Sequence, residues 1–428
     1  MSKPAQPALG NLRNRYALDL SEVVETPKKT RLKEPPENAQ KVARREDRFA
    51  LQRTAAKLVP NQRVAHCHWT AQSNEVELVK RQNDARFTGL QTCGSIWACP
   101  VCSARISEVR RGELRDLEAW AGSPLNDVRM VMMTLTARHR RRNLRRLMAE
   151  LARAKARMQN RAAWKNLRKL GILVGSVSVR EATYGVKNGW HPHYHVILLV
   201  SAGSDDEALD LLEPLREVWL ECLRKEGLTG TAKRAFHTMA GDAFSSYVSK
   251  FGRDEADKVE KTVERSESWG FAEEATLSRT KKGRGDDDEK SRSPVQLLRE
   301  AQEGDSESGR LWQEYANAFH GKRQQVWSNG LKALVGIEEI EDEEAAEGEE
   351  YTEEQDELIA SWPRKTWKVI RNRRGDLLTA AERGGAEEVQ KVLDKIPESS
   401  AEVPDLSRPP PPKPGGLIER LMAQVQPA

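Results

Sequence analysis

Trp190-His191-Pro192-His193-Tyr194-His195 runs directly into Val196-Ile197-Leu198-Leu199-Val200. The second half is an apolar, partly β-branched run of the kind that forms a buried strand. Neighbouring side chains on a strand point to opposite faces, so His193 and His195 project together and Tyr194 projects away from them. Two neutral imidazoles side by side suit a divalent metal ion. A hydrogen-bonded pair of core histidines is the plainer alternative. Three of the chain's eight histidines fall within this short stretch, which favours ligands.

Working upstream, Ile172 to Thr183 is a second apolar run. Gly185 and Asn188-Gly189 separate it from the histidine strand, so the two runs read as an antiparallel hairpin. With a turn near Lys187, Glu181 falls nearly opposite Tyr194, within side-chain reach of the histidine pair. A carboxylate as third ligand favours Mg²⁺ or Mn²⁺; His191 is the competing third ligand. Further upstream, Val131 to Thr136 reads as a buried strand. Leu144, Leu147, Leu151, Ala154, Met158 and Ala162 read as one long amphipathic helix that Gly171 ends. Downstream come a helix over 209–225, an edge strand near 235–239 and a helix opened by Gly241-Asp242. This order predicts an α+β domain with one central antiparallel sheet and helices on its face.

Tyr247 and Lys250 share a face if their segment is helical. A tyrosine can attack a phosphodiester when a metal polarises the phosphate and a cation supports the phenolate. Alone, this spacing carries little weight. It counts because it follows the histidine strand by one helix and one strand.

Cys93, Cys99 and Cys102 run as Cys-x5-Cys-Pro-x-Cys, and Cys67 lies upstream between His66 and His68. Three thiolates with Cys67, or with one of those histidines, would complete a tetrahedral zinc site. Cys222 reads as a core residue.

These motifs, in this order, resemble those of the plasmid rolling-circle replication initiators of the HUH endonuclease superfamily. Val131 to Thr136 with Arg138-His139 is similar to the first motif, His193-Tyr194-His195 to the histidine–hydrophobic–histidine motif, and Tyr247 to Lys250 to the nucleophile motif. The similarity spans residues 60–335. It implies an HUH endonuclease fold, Mg²⁺ or Mn²⁺ at the histidines, structural zinc at the cysteines, and a single-strand nick. That nick would leave a 5′-phosphotyrosine link and a 3′-hydroxyl primer, and the strand would later be rejoined. Some members carry Glu-x-x-Lys-Tyr at the third motif. In that register Tyr247 stands at the glutamate and Phe251 at the tyrosine, so Tyr247 is the nucleophile if the chain is active. A transposase or relaxase would share this chemistry. A non-catalytic zinc-dependent DNA-binding regulator would leave the histidines unexplained.

The chain has 428 residues, 38% hydrophobic and 32% charged, with a net charge of only +5. That balance hides an asymmetry. Residues 129–169 carry 14 Lys and Arg against Glu150 alone, whereas residues 338–357 carry 13 acidic residues and no basic one. The basic block suits a nucleic acid backbone, with Arg138, Arg140, Arg141, Arg142, Arg145 and Arg146 as its leading contacts. The expected division is a flexible arm over 1–45, a zinc-binding segment over 60–125 and the nuclease domain over 126–253. A charged linker over 254–308, a helical segment over 309–336, an acidic spacer over 337–357, a helical segment over 358–396 and a Pro-rich tail over 397–428 follow. Neither a membrane-spanning apolar run nor a signal peptide is evident, so a bacterial or archaeal cytoplasm is expected. The partners expected are single-stranded DNA and duplex origin DNA. A host helicase is expected as well, because no Gly-x4-Gly-Lys-Ser/Thr loop is present.

Overall fold

The structure is a computed structural model that describes residues 37–138, 140–241, 291–348 and 355–396. In chain order it runs α1 (Glu37–Leu58), β1 (Glu75–Arg81), β2 (Asp84–Thr88), α2 (Pro100–Ala121), β3 (Val128–Thr136), α3 (Leu144–Gln159), α4 (Ala162–Lys169), β4 (Leu173–Gly185) and β5 (Gly189–Ser201). Then come α5 (Asp205–Leu212), α6 (Leu215–Lys225), α7 (Ala232–Ala235), β6 (Phe236–Ala240), β7 (Ser291–Arg292), α8 (Pro294–Gln302), α9 (Ser306–Phe319) and β8 (Gln325–Trp327). The last described elements are α10 (Leu331–Val335), α11 (Asp342–Glu347), β9 (Glu357–Pro363), α12 (Arg364–Ile370) and α13 (Arg374–Leu393).

The expected α+β architecture is present. The larger sheet is antiparallel, in the order β6-β3-β5-β4-β7, with β8 added on β4. β5 lies at its centre, which explains its continuous apolar run: a central strand is covered on both faces. Tyr194, Val196, Leu198 and Val200 pack with Val131, Met133 and Leu135 beneath α3 and α6. The other face carries Ile197 and Leu199 with Val177 and Val179, against Leu114 and Leu117 of α2 and Leu331 of α10. His193 and His195 continue that second face towards the start of β5.

Helix boundaries follow local chemistry. Asn143 caps α3 by accepting from Arg146 N at 3.1 Å, and Ser204 caps α5 by accepting from Glu207 N at 3.1 Å. Ser293 and Gln296 form a reciprocal capping box ahead of Pro294 at the first position of α8.

Several expectations need correction. The basic stretch is two helices, not one: the chain breaks at Asn160-Arg161, Ala162 is exposed, and Trp164 supplies the buried contact of α4. The arm assigned to 1–45 overlaps α1, whose Arg45 bonds Glu382 and Thr379 of α13. The linker assigned to 254–308 contains β7, α8 and the start of α9, while 242–290 lie outside the described residues. The 309–336 segment is not helical throughout, because Gln325, Val326 and Trp327 pair with Val179, Ser178 and Val177. The 358–396 segment opens with β9, which joins β1 and β2 in a second, three-stranded sheet. The acidic spacer holds α11, with Ala345 and Ala346 buried and Asp342 paired with Arg110 of α2 at 2.7 Å. No helix among the described residues is long and apolar enough to cross a membrane.

Leu198 is fully buried at the middle of the central strand. Leu198→Ala is expected to lower stability by about 2–5 kcal/mol, mostly through the cavity it leaves. Leu125, 93% exposed, gives the control: its replacement by Ala should stay within about 0.5 kcal/mol. Urea unfolding of the two variants checks the difference.

Candidate metal centres

Glu181 pairs with His193 across the β4–β5 hairpin, and Arg180 pairs with Tyr194. The sequence placed Glu181 opposite Tyr194, one residue out. The observed register puts the carboxylate on the same face as both imidazoles, since directly paired residues share a face. Glu181 Oε2 lies 3.1 Å from His193 Nε2 and 3.8 Å from His195 Nε2. The three residues form a group whose ligand atoms all lie within 4.8 Å of one another.

The other ring nitrogens are held from behind. His193 Nδ1 donates to the His191 carbonyl at 3.2 Å, so in a neutral ring Nε2 would carry the lone pair. His195 Nδ1 is 3.1 Å from Thr134 Oγ1, from β3. Such backing fixes ring orientation and is usual behind metal-ligating histidines. His191 takes a different path: its Nε2 lies 2.8 Å from Thr136 Oγ1, and it is not part of the three-residue group. Thr134 and Thr136 were not singled out from sequence. They belong to the first-motif strand, and their pairing with His195 and His193 brings them here.

The second group is Cys67, Cys93, Cys99 and Cys102, all buried. Sγ of Cys102 lies 3.3 Å from that of Cys67 and 3.6 Å from that of Cys93, and Cys99 and Cys67 are 3.7 Å apart. A tetrahedral site with Zn–S near 2.3 Å needs S···S of about 3.8 Å, so the cluster has the size for zinc. Cys99 is the N-cap of α2, Pro100 starts the helix, and Cys102 N donates to Cys99 Sγ at 3.5 Å. A helix N-terminus favours thiolates. Hydrogen bonding among the sulfurs, Cys102 first, pushes the Cys93 thiol upward, and burial adds to it. Four thiols this close cannot all ionise unless a cation shares their charge. Gln52 Nε2 donates to Cys99 Sγ at 3.2 Å, a contact across chain segments that the sequence does not signal. His68 is buried outside the group and held neutral, its pKa lowered to about 3 by burial and by Arg105 and Arg374. His66 is exposed.

The six arginines proposed for DNA lie on the β3–α3 connection and the first turn of α3. Arg142 and Arg146 both bond Glu150, which is buried. Arg141 and Arg145 donate to the carbonyls of Val186 and Asn317. Arg138 and Arg140 are exposed. A groove beside the histidines is lined by Thr136, Arg138, Asn188, His191, Thr231 and Arg234. Arg234 does not stand out in the sequence, because a Lys-Arg pair in a four-residue helix carries no signal of its own. Tyr247, Lys250 and His139 lie outside the described residues.

Residues 85–223 match the model of a family described as "Replication protein". This chain resembles replication proteins. The match includes Glu181, His193, His195 and three of the cysteines, Cys93, Cys99 and Cys102, and it bears out the resemblance to plasmid replication initiators drawn from the motifs. Among curated relatives, "Protein rep" of Streptomyces lividans is 26% identical over 310 residues, covering 58% of this chain and 65% of its own. The "Neomycin resistance protein" of Streptomyces cyanogenus is 31% identical over 154 residues, covering 28% of this chain and 33% of its own. The chain thus spans less than two thirds of the length of each. No solved structure matches it.

Elemental analysis is expected to find metal held by the cysteine group. Cys67→Ala should lose that metal and His66→Ala should keep it. Metal retained in Cys67→Ala would exclude Cys67 from the site.

Proposed function

We propose that this chain is a rolling-circle replication initiator. In this reading it is a metal-dependent single-strand DNA endonuclease that nicks origin DNA with Tyr247 and later rejoins the strand. The observation that carries the reading is the meeting of Glu181, His193 and His195 on one sheet face, each imidazole backed through its other nitrogen. The name of the Streptomyces lividans relative, "Protein rep", favours replication over transposition.

Glu181, His193 and His195 would hold Mg²⁺ or Mn²⁺; when bound, such an ion polarises a phosphate oxygen. The Tyr247 phenolate attacks the scissile phosphorus, and the bond from phosphorus to the 3′ oxygen breaks. The departing oxygen takes up a proton and becomes the 3′-hydroxyl that primes synthesis, while the 5′ phosphate stays esterified to Tyr247. Rejoining is the reverse: the 3′-hydroxyl attacks and the tyrosine leaves. Lys250 supports the phenolate. Arg138 and Arg234 over the groove would hold the strand's phosphates beside His191, with Arg140, Arg141 and Arg145 along its path. Arg142 and Arg146 contribute less, because both are already paired with Glu150, which offsets one of their two charges. The cysteine group would hold structural zinc. Duplex unwinding falls to a host helicase, and the setting is the cytoplasm.

Tyr247→Phe is expected to keep metal content and DNA affinity but to lose the covalent adduct with a single-stranded origin oligonucleotide. Adduct trapping and peptide mapping read this out. A link at any other tyrosine overturns the assignment. His193→Ala/His195→Ala should abolish nicking while affinity for DNA persists. Full nicking by that double variant would remove the metal from the reaction.

A further inference from the structure

Two residues beyond Cys67 of the candidate cysteine group, cations gather around Trp69. The Arg53 guanidinium of α1 sits 3.6 Å from the Trp69 ring centroid, that of Arg371 4.5 Å and that of Arg374 5.3 Å. Arg374 is spent on structure: it is buried and donates to the His68 carbonyl and to Gln52 Oε1. Arg53 and Arg371 are half-buried; Arg371 donates to the Trp69 carbonyl at 3.3 Å, and neither pairs with a carboxylate among the described residues. Burial holds both guanidiniums below their ordinary range, and for Arg371 the charge of Arg53 adds to it.

The surface continues on both sides. Residues 364–374 hold six Lys and Arg and no acidic residue. Arg364, Lys368 and Arg371 recur at helical spacing along one face of α12 and the turn after it. Trp367 and Ile370 face the core instead. Arg364 is tied to the carbonyls of Ser73 and Gln72, which leaves its charge unmatched by a carboxylate. Lys365 and Lys368 are exposed, as is Lys57, one turn beyond Arg53 on α1.

We propose that this Trp69-centred surface is a second DNA-binding site, which grips the phosphate backbone of duplex DNA away from the nicking centre. A row of cations along a helix face suits the regularly spaced charges of a polyanion. An arginine stacked on an aromatic ring keeps its edge N–H donors free for phosphate. The Trp69 ring is already covered by Arg53, so it is no platform for a splayed base, which argues for backbone contact over single-strand stacking. The site would let one molecule hold duplex while its candidate nicking centre works on single strands.

The test uses the full chain and a duplex of arbitrary sequence, about 30 base pairs long. In Arg53→Gln/Lys368→Gln/Arg371→Gln the slope of log affinity against log salt is expected to become shallower by about 2–3, close to 0.9 for each lost phosphate contact. Affinity at low salt should fall at least tenfold. Arg53→Lys/Arg371→Lys, which keeps the charges, should retain most of it. Tryptophan fluorescence and metal content report whether the triple variant folds. If it does not, Lys57→Gln/Lys368→Gln, at two exposed positions, should lower the slope by about 1–2. A folded variant with the parental slope overturns the proposal, and so does a loss confined to single-stranded DNA. Nicking of a short single-stranded oligonucleotide should persist in the triple variant. Its absence in the parent protein would sink the nuclease reading and leave the duplex result standing.

Discussion

A slip of one residue between β4 and β5 would turn Glu181 to the far side of the sheet from His193 and His195. The candidate metal group therefore depends on hairpin register, and several contacts fix it. Gly185 pairs with Gly189 across a three-residue turn, and Gly189 adopts a φ of +77°, which favours glycine. A Cβ there would lie 3.0 Å from Arg141 Cα. Arg141 also donates to the Val186 carbonyl in the turn. One pair further in, Tyr184 and Trp190 meet edge to face, 5.2 Å between centroids. Trp190 Nε1 donates to Glu314 of α9 at 3.0 Å, which locks the hairpin end to the helical layer. On the other side, β3 pairs with β5 as far as Thr136 opposite His193, so both threonines arrive in step with the histidines.

The site was legible where its chemistry is local. A His-x-His pair on an apolar strand shows its own geometry, because the strand period is two. Cys99-Pro100-x-Cys102 likewise announces a helix start with two thiols on its first turn. Glu181 reads from the sequence as a candidate ligand, but its cross-strand partner is His193 rather than Tyr194, and with a period of two that one-residue difference is a whole face. What could not be read depends on distant pairing. β9 joins β1 although nearly three hundred residues separate them, so the stretch from 357 shows only its own short pattern. β8 is three residues long, too short to display alternation. The acidic run looked like a solvated spacer because its charges outnumber everything else. Its fold rests on Ala345-Ala346 and on which single acid meets Arg110.

That acid belongs to a buried ionic chain. Arg110 bonds both Asp342 and Glu113, and Lys332 of α10 reaches Glu113 Oε1 at 3.0 Å. Removing one member of such a set strands its partners and costs about 3–5 kcal/mol, whereas the intact set adds little net stability. Its effect is positional. It fastens α10 and α11 to the middle of α2, while Leu331 of α10 packs under Gly175 of β4. The side of α2 turned to the sheet is thereby held against Val177 and Val179, on the same face that ends in Glu181.

α2 thus joins the two candidate metal groups physically. Its first turn carries Cys99 and Cys102, and its last turns, with Leu114 and Leu117, cover the sheet face that bears the histidines. The cysteine end is also the anchor of the second sheet's layer: Arg374 of α13 reaches the carbonyl next to Cys67 and, through Gln52, the sulfur of Cys99. A cation among four thiolates would fix the N-terminus of α2, and with it the angle at which the helix meets β4 and β5. Without that cation the packed thiols would sit beside Arg105, half-buried, and Arg374, buried, whose charges the thiolates would otherwise balance. A shift of α2 would reach the hairpin through Leu114 and Leu117, since close-packed interiors transmit small shifts. One helix therefore has the cysteines at its first turn and, at its last turns, packs on the sheet face that bears the histidines.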